Sequence, residues 1–225
     1  MAVINRCFYP GELLLPREGV NLTAWACVAC DQFTSQPAYW EEVERLVGDQ
    51  PSAFRMILPE CWLNENDARV PAICRTMEQY LQDGTLVPAV ERGFILTERI
   101  TPSGARVGLV GMIDLECYDF HPEAKSLVRA SEGTIAERIP PRVRIREKAP
   151  LETSHVMLLM DDPMQSVVEP LFRKRRQLRK LYDFDLMEGG GHITGWLVDG
   201  EEAKAFNDRL TAYTANVGKK YEGLK

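Results

Sequence analysis

GFILTERIT at residues 93–101 and ARVGLVGMIDL at residues 105–115 form the most informative stretch of this sequence. Both segments mix β-branched and other apolar residues with regularly placed polar ones, which is the pattern of a half-buried β-strand. Between them, Pro102-Ser103-Gly104 has the composition of a tight turn. The sequence therefore predicts an antiparallel β-hairpin, and the remaining elements are arranged around it.

Two helices are predicted before the hairpin. PAYWEEVERLV at residues 37–47 begins with a proline, which is favoured in a first helical turn, and Ser35 is its predicted N-cap. A second helix runs from about residue 64 to Gly84. Apolar residues recur every three or four positions in both, at Trp40, Val43, Leu46 and Val47 and at Val70, Ile73, Met77, Tyr80 and Leu81. A short buried strand is predicted between the helices at 54–58.

The second half of the chain also alternates between strands and helices. SHVMLLMDDP at 154–163 contains a continuous apolar run closed by two aspartates and a proline, which predicts a central strand of a sheet. A basic amphipathic helix is predicted at 167–182, a strand at 192–199 and a last helix at about 201–216. The fold class is therefore α+β, a mixed α/β arrangement in which four to five helices flank a mixed sheet with at least one antiparallel hairpin. One domain is expected over residues 1–225.

Composition limits the kinds of partner. The chain has 225 residues, of which 45% are hydrophobic, enough for a sizeable core. Its formal net charge of -6 argues against a general affinity for nucleic acid or for anionic membranes. Neither a signal peptide nor an apolar run of the roughly 20 residues that cross a membrane is recognisable, so a cytoplasmic location is predicted.

Six cysteines are present, and two of them, Cys27 and Cys30, have the C-x-x-C spacing of zinc and redox sites. Zinc requires four ligands, and no second pair of cysteines or histidines with suitable spacing completes the set. WACVAC reads instead as a buried strand on which the two cysteines point to opposite faces. We therefore expect reduced, structural cysteines.

Four arginines crowd into nine positions at Arg138, Arg142, Arg144 and Arg146. The last three alternate with Val143 and Ile145, which predicts a strand whose polar face carries the guanidinium groups. Guanidinium groups bind phosphate and carboxylate oxygens in pairs, so such a face would suit an oxyanion. The alternative is that glutamates nearby in sequence neutralise the arginines in solvated salt bridges. The sequence leaves both interpretations open.

Asp161 and Asp162 come directly after the apolar residues of the predicted strand at 154–163. At the end of such a strand, α/β proteins often place metal ligands. The pair could hold Mg²⁺ against phosphate oxygens, or it could form an Asp-Asp-Pro turn without chemistry. His192 follows three glycines whose backbone N–H groups could approach an anion, although a simple turn explains the same residues. No phosphate-binding loop motif of known spacing is present.

Two further features have both a chemical and a structural interpretation. Asp31, in ACDQFTSQ, is a candidate catalytic base, or the start of a turn that leads into the helix at Pro37. The basic run from Arg173 to Lys180 is a candidate nucleic-acid surface, or the solvated face of a helix.

Four segments, taken in order, resemble a family of bacterial and archaeal proteins, the domain-of-unknown-function family 1015. They are ACDQFTSQPAYWEEVE, RASEGTIAERIPPRVRIREKAPLE, HVMLLMDDP and LYDFDLMEGGGHITGW. Longer relatives carry a later segment similar to the ParB-like nucleotide-binding domains and to free serine kinases. The resemblance thus implies that this chain is the N-terminal part of a longer protein or a shortened relative.

The resemblance also implies phosphate groups in the ligand. A phosphorylated metabolite or nucleotide would meet Arg138, Arg142, Arg144, Arg146 and His192, and Asp161 and Asp162 would hold Mg²⁺. Asp31 or Glu132 would orient a hydroxyl nucleophile, and ATP or ADP would donate phosphate to a small hydroxyl compound such as free serine. The alternatives are a regulatory or nucleic-acid-binding protein without catalysis, and a purely structural role for the arginines.

Overall fold

The structure is a computed structural model that describes residues 7–29, 31–121, 123–124, 126–130, 133, 135–153 and 155–222. Of residues 31, 32, 66 and 217–222 it describes the backbone only. The helices are α1 (Leu22–Trp25), α2 (Asp31–Thr34), α3 (Pro37–Val47), α4 (Asn66–Gln82), α5 (Ile139–Arg146), α6 (Glu169–Arg173) and α7 (Gly200–Glu222). The strands are β1 (Phe8–Tyr9), β2 (Gly11–Pro16), β3 (Leu86–Thr101), β4 (Gly104–Val110), β5 (Met112–Ile113), β6 (Tyr118–Asp119), β7 (Val128–Arg129), β8 (Lys180–Leu186) and β9 (Gly191–Val198).

Strand β3 is the axis of the main sheet. Its first half pairs antiparallel with β2, from Gly11 opposite Gly93 to Pro16 opposite Leu86. Its second half lies between β4 and β9 and pairs antiparallel with both. Strand β8 pairs with β9 at the far side, so the order is β2-β3-β9-β8 with β4 on the second half of β3. The predicted hairpin at 93–115 is confirmed, and Thr101 opposite Gly104 closes its turn.

One hydrophobic core lies between this sheet and helices α6 and α7. Phe94 and Leu96 of β3 are fully buried there, and Phe206 of α7 is almost fully buried. The ring of Phe94 stacks on that of Phe8, with centroids 5.4 Å apart, and meets the Phe206 ring edge-on at 5.1 Å. Leu171 of α6 completes the contact, because it is buried against the same residues.

A second core lies among the N-terminal helices. Trp40, Val43 and Val47 of α3 are fully buried, as their helical spacing predicted. Met77 of α4 is also fully buried, in a neighbouring cluster with Ile73, Tyr80 and Trp25. Ser52 is fully buried between the two groups. Its hydroxyl donates to the carbonyl of Trp25 (3.1 Å), and its N–H donates to the Tyr80 hydroxyl (3.1 Å).

Several local predictions are confirmed and several are wrong. Helix α3 has the predicted bounds, although Gln36 rather than Ser35 occupies the N-cap position. The predicted strand at 54–58 is instead a 3₁₀ turn, Ala53–Met56, because the Ser52 side chain accepts the N–H of Phe54 and starts a helical turn. The predicted strand WACVAC is also wrong, since its Trp25 ends α1 and residues 26–29 join no sheet of the described residues. Cys30 lies outside the described residues.

Two predictions from the second half need the same correction. The predicted helix at 167–182 is three elements, namely α6, a 3₁₀ turn at Arg175–Gln177, and β8. The predicted central strand at 154–163 is absent from the sheets of the described residues, and the apolar side chains of 156–160 are exposed. Strand β9 and helix α7 confirm the last two predicted elements.

The α+β fold class is confirmed by this combination of helices and antiparallel hairpins. Within the residues described, no helix combines the length and the apolar character needed to cross a bilayer.

We predict that Gly195→Ala destabilises the hairpin formed by β8 and β9. The Tyr182 ring covers Gly195 from the facing strand, and an added Cβ would lie 2.1 Å from the Tyr182 Cζ atom. Forcing the ring aside should lower the free energy of unfolding by about 1–3 kcal/mol, measured by urea denaturation. Gly108→Ala in β4 is the control, because its Cβ would meet only the Thr97 hydroxyl at 3.4 Å. Equal stability of the two variants would contradict the prediction.

Candidate functional site

The arginine-rich stretch is helical, so the prediction of an arginine-bearing strand is wrong. Arg142, Arg144 and Arg146 belong to α5, and Arg138 ends the 3₁₀ turn Ala136–Arg138 just before it. The two prolines at 140 and 141 occupy the first turn of α5, where their fixed φ favours a helix. Ile145 packs against the core cluster that contains α4. A helix places Arg138, Arg142 and Arg146 along one side, because they are four residues apart, and directs Arg144 elsewhere.

Three of the four arginines already have carboxylate partners. The Arg138 guanidinium lies 2.6 Å from Glu60, Arg144 lies 2.6 Å from Asp67, and Arg146 binds Glu152 through two contacts of 2.7 and 2.8 Å. Glu152 is the one partner that lies close in sequence. Arg142 is exposed and makes no ion pair with any residue that the structure describes. The salt-bridge interpretation therefore holds for three arginines, and Arg142 is the exception.

The Arg138 cluster is formed by Arg138, Glu60 and Thr34. It brings together the segments ACDQFTSQPAYWEEVE, which contains Thr34, and RASEGTIAERIPPRVRIREKAPLE, which contains Arg138. One oxygen of Glu60 binds Arg138, and the other accepts the Thr34 hydroxyl at 3.1 Å. The Arg138 and Glu60 side chains are 29% and 24% exposed, so solvent and small solutes can reach a partly desolvated ion pair. Thr34 is held in place by the Trp40 indole, which donates to its carbonyl at 3.3 Å.

Asp31 and Glu132, the predicted catalytic carboxylates, are placed only in part. Asp31 is the first residue of α2, the helix that ends at Thr34, but its side chain is not among those described. Glu132 lies outside the described residues. The chain therefore brings the backbone of Asp31 within one helical turn of the Arg138 cluster.

Anion binding by the start of α5 would depend on side chains rather than on backbone N–H groups. The first turn of a helix normally offers free N–H donors to an anion. In α5, Pro140 and Pro141 lack these donors. The guanidinium groups of Arg138 and Arg142 are therefore the donors that this face offers.

His192 faces carboxylates rather than the Arg138 cluster. Its Nε2 lies 2.6 Å from Asp183 and its Nδ1 lies 2.7 Å from Asp185, both on the facing strand β8. A carboxylate only accepts, so this arrangement favours the doubly protonated imidazole, in which both ring nitrogens donate. Of the three glycines before it, Gly189 and Gly190 lie in the turn of the β8–β9 hairpin, and Gly191 begins β9 with a φ of 92°. The turn interpretation of GGGH is confirmed.

The same contacts shift the pKa values of this cluster. Hydrogen bonds to Asp185 and Asp183 raise the pKa of His192. Hydrogen bonds from Lys180 and His192 lower the pKa of Asp183 to about 2. Thr194 adds a hydroxyl donor to Asp183 at 3.2 Å. The His192 cluster is thus a charged network on the exposed side of the sheet.

Asp161 and Asp162 form the predicted turn. The Asp162 carboxylate accepts the N–H groups of Ser166 (2.6 Å) and Val167 (2.9 Å) and the Ser166 hydroxyl (3.0 Å). The carbonyl of Asp161 accepts the Tyr213 hydroxyl at 2.6 Å. Among the described residues, no group of three or more histidine, cysteine or acidic side chains could hold a metal ion. These aspartates therefore do not fit a magnesium site.

The basic run at 173–180 is folded against the protein. Lys174 binds Glu202 at 3.1 Å, and Lys180 binds Asp183. Arg175 lies 3.9 Å above the Phe172 ring and 4.0 Å from Glu98. Because these cations have internal partners, the run does not present one continuous basic face.

Sequence reasoning missed the carboxylates that pair with the arginines and with His192. Glu60 and Asp67 are 78 and 77 positions from their arginines, and no local pattern points to them. Asp183 and Asp185 could have been found, because they alternate along β8 and the glycine turn places β9 opposite. Hairpin register puts Asp185 directly opposite His192.

Comparison with known proteins gives one match. A family model described as a protein of unknown function, DUF1015, matches residues 14–215. No curated protein and no solved structure matches the chain.

We predict that the His192 imidazole titrates above the ordinary histidine pKa of about 6.5. Because the folded pKa is raised, its stabilising contribution is complete below the unfolded pKa and is lost as pH rises through the folded pKa. NMR titration of the ring should show the raised pKa, and Asp185→Asn should lower it. The unfolding free energy should fall across this pH window less in His192→Gln than in the parent. An unshifted titration would show that the two carboxylate contacts do not form.

Proposed function

The chain belongs to the DUF1015 family of proteins of unknown function, and we propose that it binds a phosphorylated small molecule or a nucleotide through Arg138 and Arg142. The observation that carries the proposal is the position of Arg142. It is exposed, it has no ionic partner among the described residues, and it lies one helical turn from Arg138. Two guanidinium groups on one side of a helix suit the oxygens of a phosphate.

Glu60 does not prevent Arg138 from taking part. A carboxylate and a phosphate present similar oxygen pairs to a guanidinium, and the phosphate carries more negative charge. The Arg138–Glu60 pair is about three-quarters buried, which strengthens its electrostatic interactions relative to those of a solvated pair. When phosphate displaces Glu60, the Thr34 hydroxyl that now donates to Glu60 can donate to a phosphate oxygen instead.

The proposed reaction is transfer of the terminal phosphate of ATP or ADP to a small hydroxyl compound such as free serine. The bond from the terminal phosphorus to its bridging oxygen breaks, and a new bond forms to the substrate oxygen. The proton of the hydroxyl passes to a carboxylate, for which Asp31 and Glu132 are the candidates. Arg138 and Arg142 would neutralise the charge that spreads over the transferring oxygens. This choice of reaction rests on the likeness of a later segment of longer relatives to free serine kinases, and no step is assigned to a magnesium ion.

Nucleic-acid binding by a regulatory protein is the alternative. It would depend on the run from Arg173 to Lys180, and the internal ion pairs of Lys174, Arg175 and Lys180 give it less support.

We predict that ATP, ADP or inorganic phosphate raises the melting temperature of the parent protein in proportion to the logarithm of ligand concentration. Arg138→Ala and Arg142→Ala should each weaken binding by about 10- to 100-fold, since each removes a charge-assisted hydrogen bond. Arg144→Ala is the matched control, because Arg144 lies on the same helix and pairs with Asp67. A parent protein that no phosphate compound stabilises would refute the proposed function.

We predict that Glu60→Gln increases the affinity for inorganic phosphate, because it removes the charge that competes for Arg138. Glu152→Gln is the matched control, since it weakens the equivalent pair of Arg146 outside the proposed site. Isothermal titration calorimetry should show tighter binding in the Glu60 variant alone. Equal effects of both variants would mean that net charge, and not displacement of Glu60, controls binding.

A further inference from the structure

The segment from His155 to Met160 exposes an unusual number of apolar side chains. Val156, Met157, Leu158, Leu159 and Met160 are 77%, 65%, 47%, 85% and 44% exposed. Single exposed apolar residues are common on monomeric proteins, but a contiguous run of this kind typically marks an interaction surface.

The backbone of this segment has no regular secondary structure and no strand partner among the described residues. Residues 155–162 contain no turn or bend, and within the described part of the chain residues 155–160 have no backbone hydrogen bond to another residue. Both ends are attached to the protein. At one end the Thr153 hydroxyl donates to the carbonyl of Met56 at 3.3 Å, and at the other Asp162 caps the turn before α6. The segment is therefore held in place with its strand-forming groups unsatisfied.

We propose that this segment pairs antiparallel with the same segment of a second copy of the chain. The sequence HVMLLMD is self-complementary in that direction. With Leu158 opposite Leu158, His155 of each copy faces Asp161 of the other, and Val156 faces Met160. Parallel pairing would instead place like groups opposite each other. Charge complementarity at the two ends thus specifies the partner and the direction.

The exposure pattern agrees with this pairing. Residues two apart on a strand share a face, so Met157 and Leu159 lie on one face and Leu158 and Met160 on the other. Leu158 and Met160 are 47% and 44% exposed, whereas Val156, which shares their face, is 77% exposed. In antiparallel pairing the opposite side chains of the second copy pack beside those of the first on both faces, so dimerisation would cover exposed apolar residues of each face.

The segment is not paired with β4 of the same chain, the strand whose outer edge is open. The two meet through a side chain, because the Arg106 guanidinium of β4 donates a hydrogen bond to the Met157 sulfur at 3.5 Å. No backbone pairing between β4 and residues 155–160 is present among the described residues. Intramolecular pairing with β4 is therefore the competing outcome that an experiment must separate from dimerisation.

Analytical ultracentrifugation over a concentration series tests the proposal. The parent protein should show a reversible monomer–dimer equilibrium, and Leu159→Asp should shift it to monomer. Leu115→Asp is the matched control, because Leu115 is 74% exposed and lies outside the segment. In a hydrogen-exchange experiment, the amides of residues 156–160 should be protected at high protein concentration and unprotected at low concentration, because pairing protects them only in the dimer.

A charge exchange tests the direction of pairing. His155→Asp places two carboxylates opposite each other at both ends and should weaken the dimer by about tenfold. Asp161→Lys in the same chain should restore it, while Asp162 and its capping bonds stay unchanged. A monomer at every concentration, amide protection independent of concentration, or a dimer insensitive to Leu159→Asp would each overturn the proposal. Failure of the charge exchange to restore the dimer would overturn the antiparallel alignment.

Discussion

The backbone pairing of strand β3 holds the two halves of this protein together. Its 16 residues are long enough to pair with β2 in the first half and with both β4 and β9 in the second. Phe94 and Leu96 are fully buried where these pairings meet, so the sheet and its helical cover share one core. Leu86, at the start of the same strand, is buried in the cluster that contains α4. Each helical layer is therefore positioned relative to one strand.

The two charged clusters are connected through one N-terminal segment. Thr23 donates its hydroxyl to the carbonyl of Asp185 at 2.9 Å, so this segment touches the strand that carries the His192 cluster. Eleven residues later, Thr34 binds Glu60 in the Arg138 cluster. The Arg138–Glu60 pair is partly buried and the His192 cluster is more exposed, and exposed ion pairs add little to stability. Their geometry is therefore better understood as a property of the surface that a ligand meets.

The arginine stretch shows why residue spacing alone can mislead. Val143 and Ile145 alternate with three arginines, which fits a strand, yet Arg138, Arg142 and Arg146 also fit a helical spacing of four. Eight residues are too few for one period to exclude the other. Two prolines at the start of a helix and the burial of Ile145 against α4 favour the helical alternative. The oxyanion site that was expected from four converging arginines is reduced to Arg138 and Arg142.

The apolar run at 156–160 was predicted to be a buried strand, and this prediction is wrong for a different reason. A continuous apolar stretch normally belongs in a buried strand, and here its side chains are exposed and it joins no sheet of the described residues. Its composition is typical of segments that form strands, but composition does not specify which backbone will pair with it. Pairing requires a partner strand, which can come from a distant part of the chain or from another chain.

Local pattern was enough to recognise α3, α4, the β3–β4 hairpin, β9 and α7, because each depends on residues two to four positions apart or on one turn. The α+β class follows from their order along the chain. Tertiary packing alone determined the partners of Arg138 and Arg144. Arg138 meets Glu60 and Arg144 meets Asp67 across more than 70 positions, and such contacts depend on how helices pack rather than on local spacing. The same packing separated His192 from the arginines and left Arg142 open to a ligand.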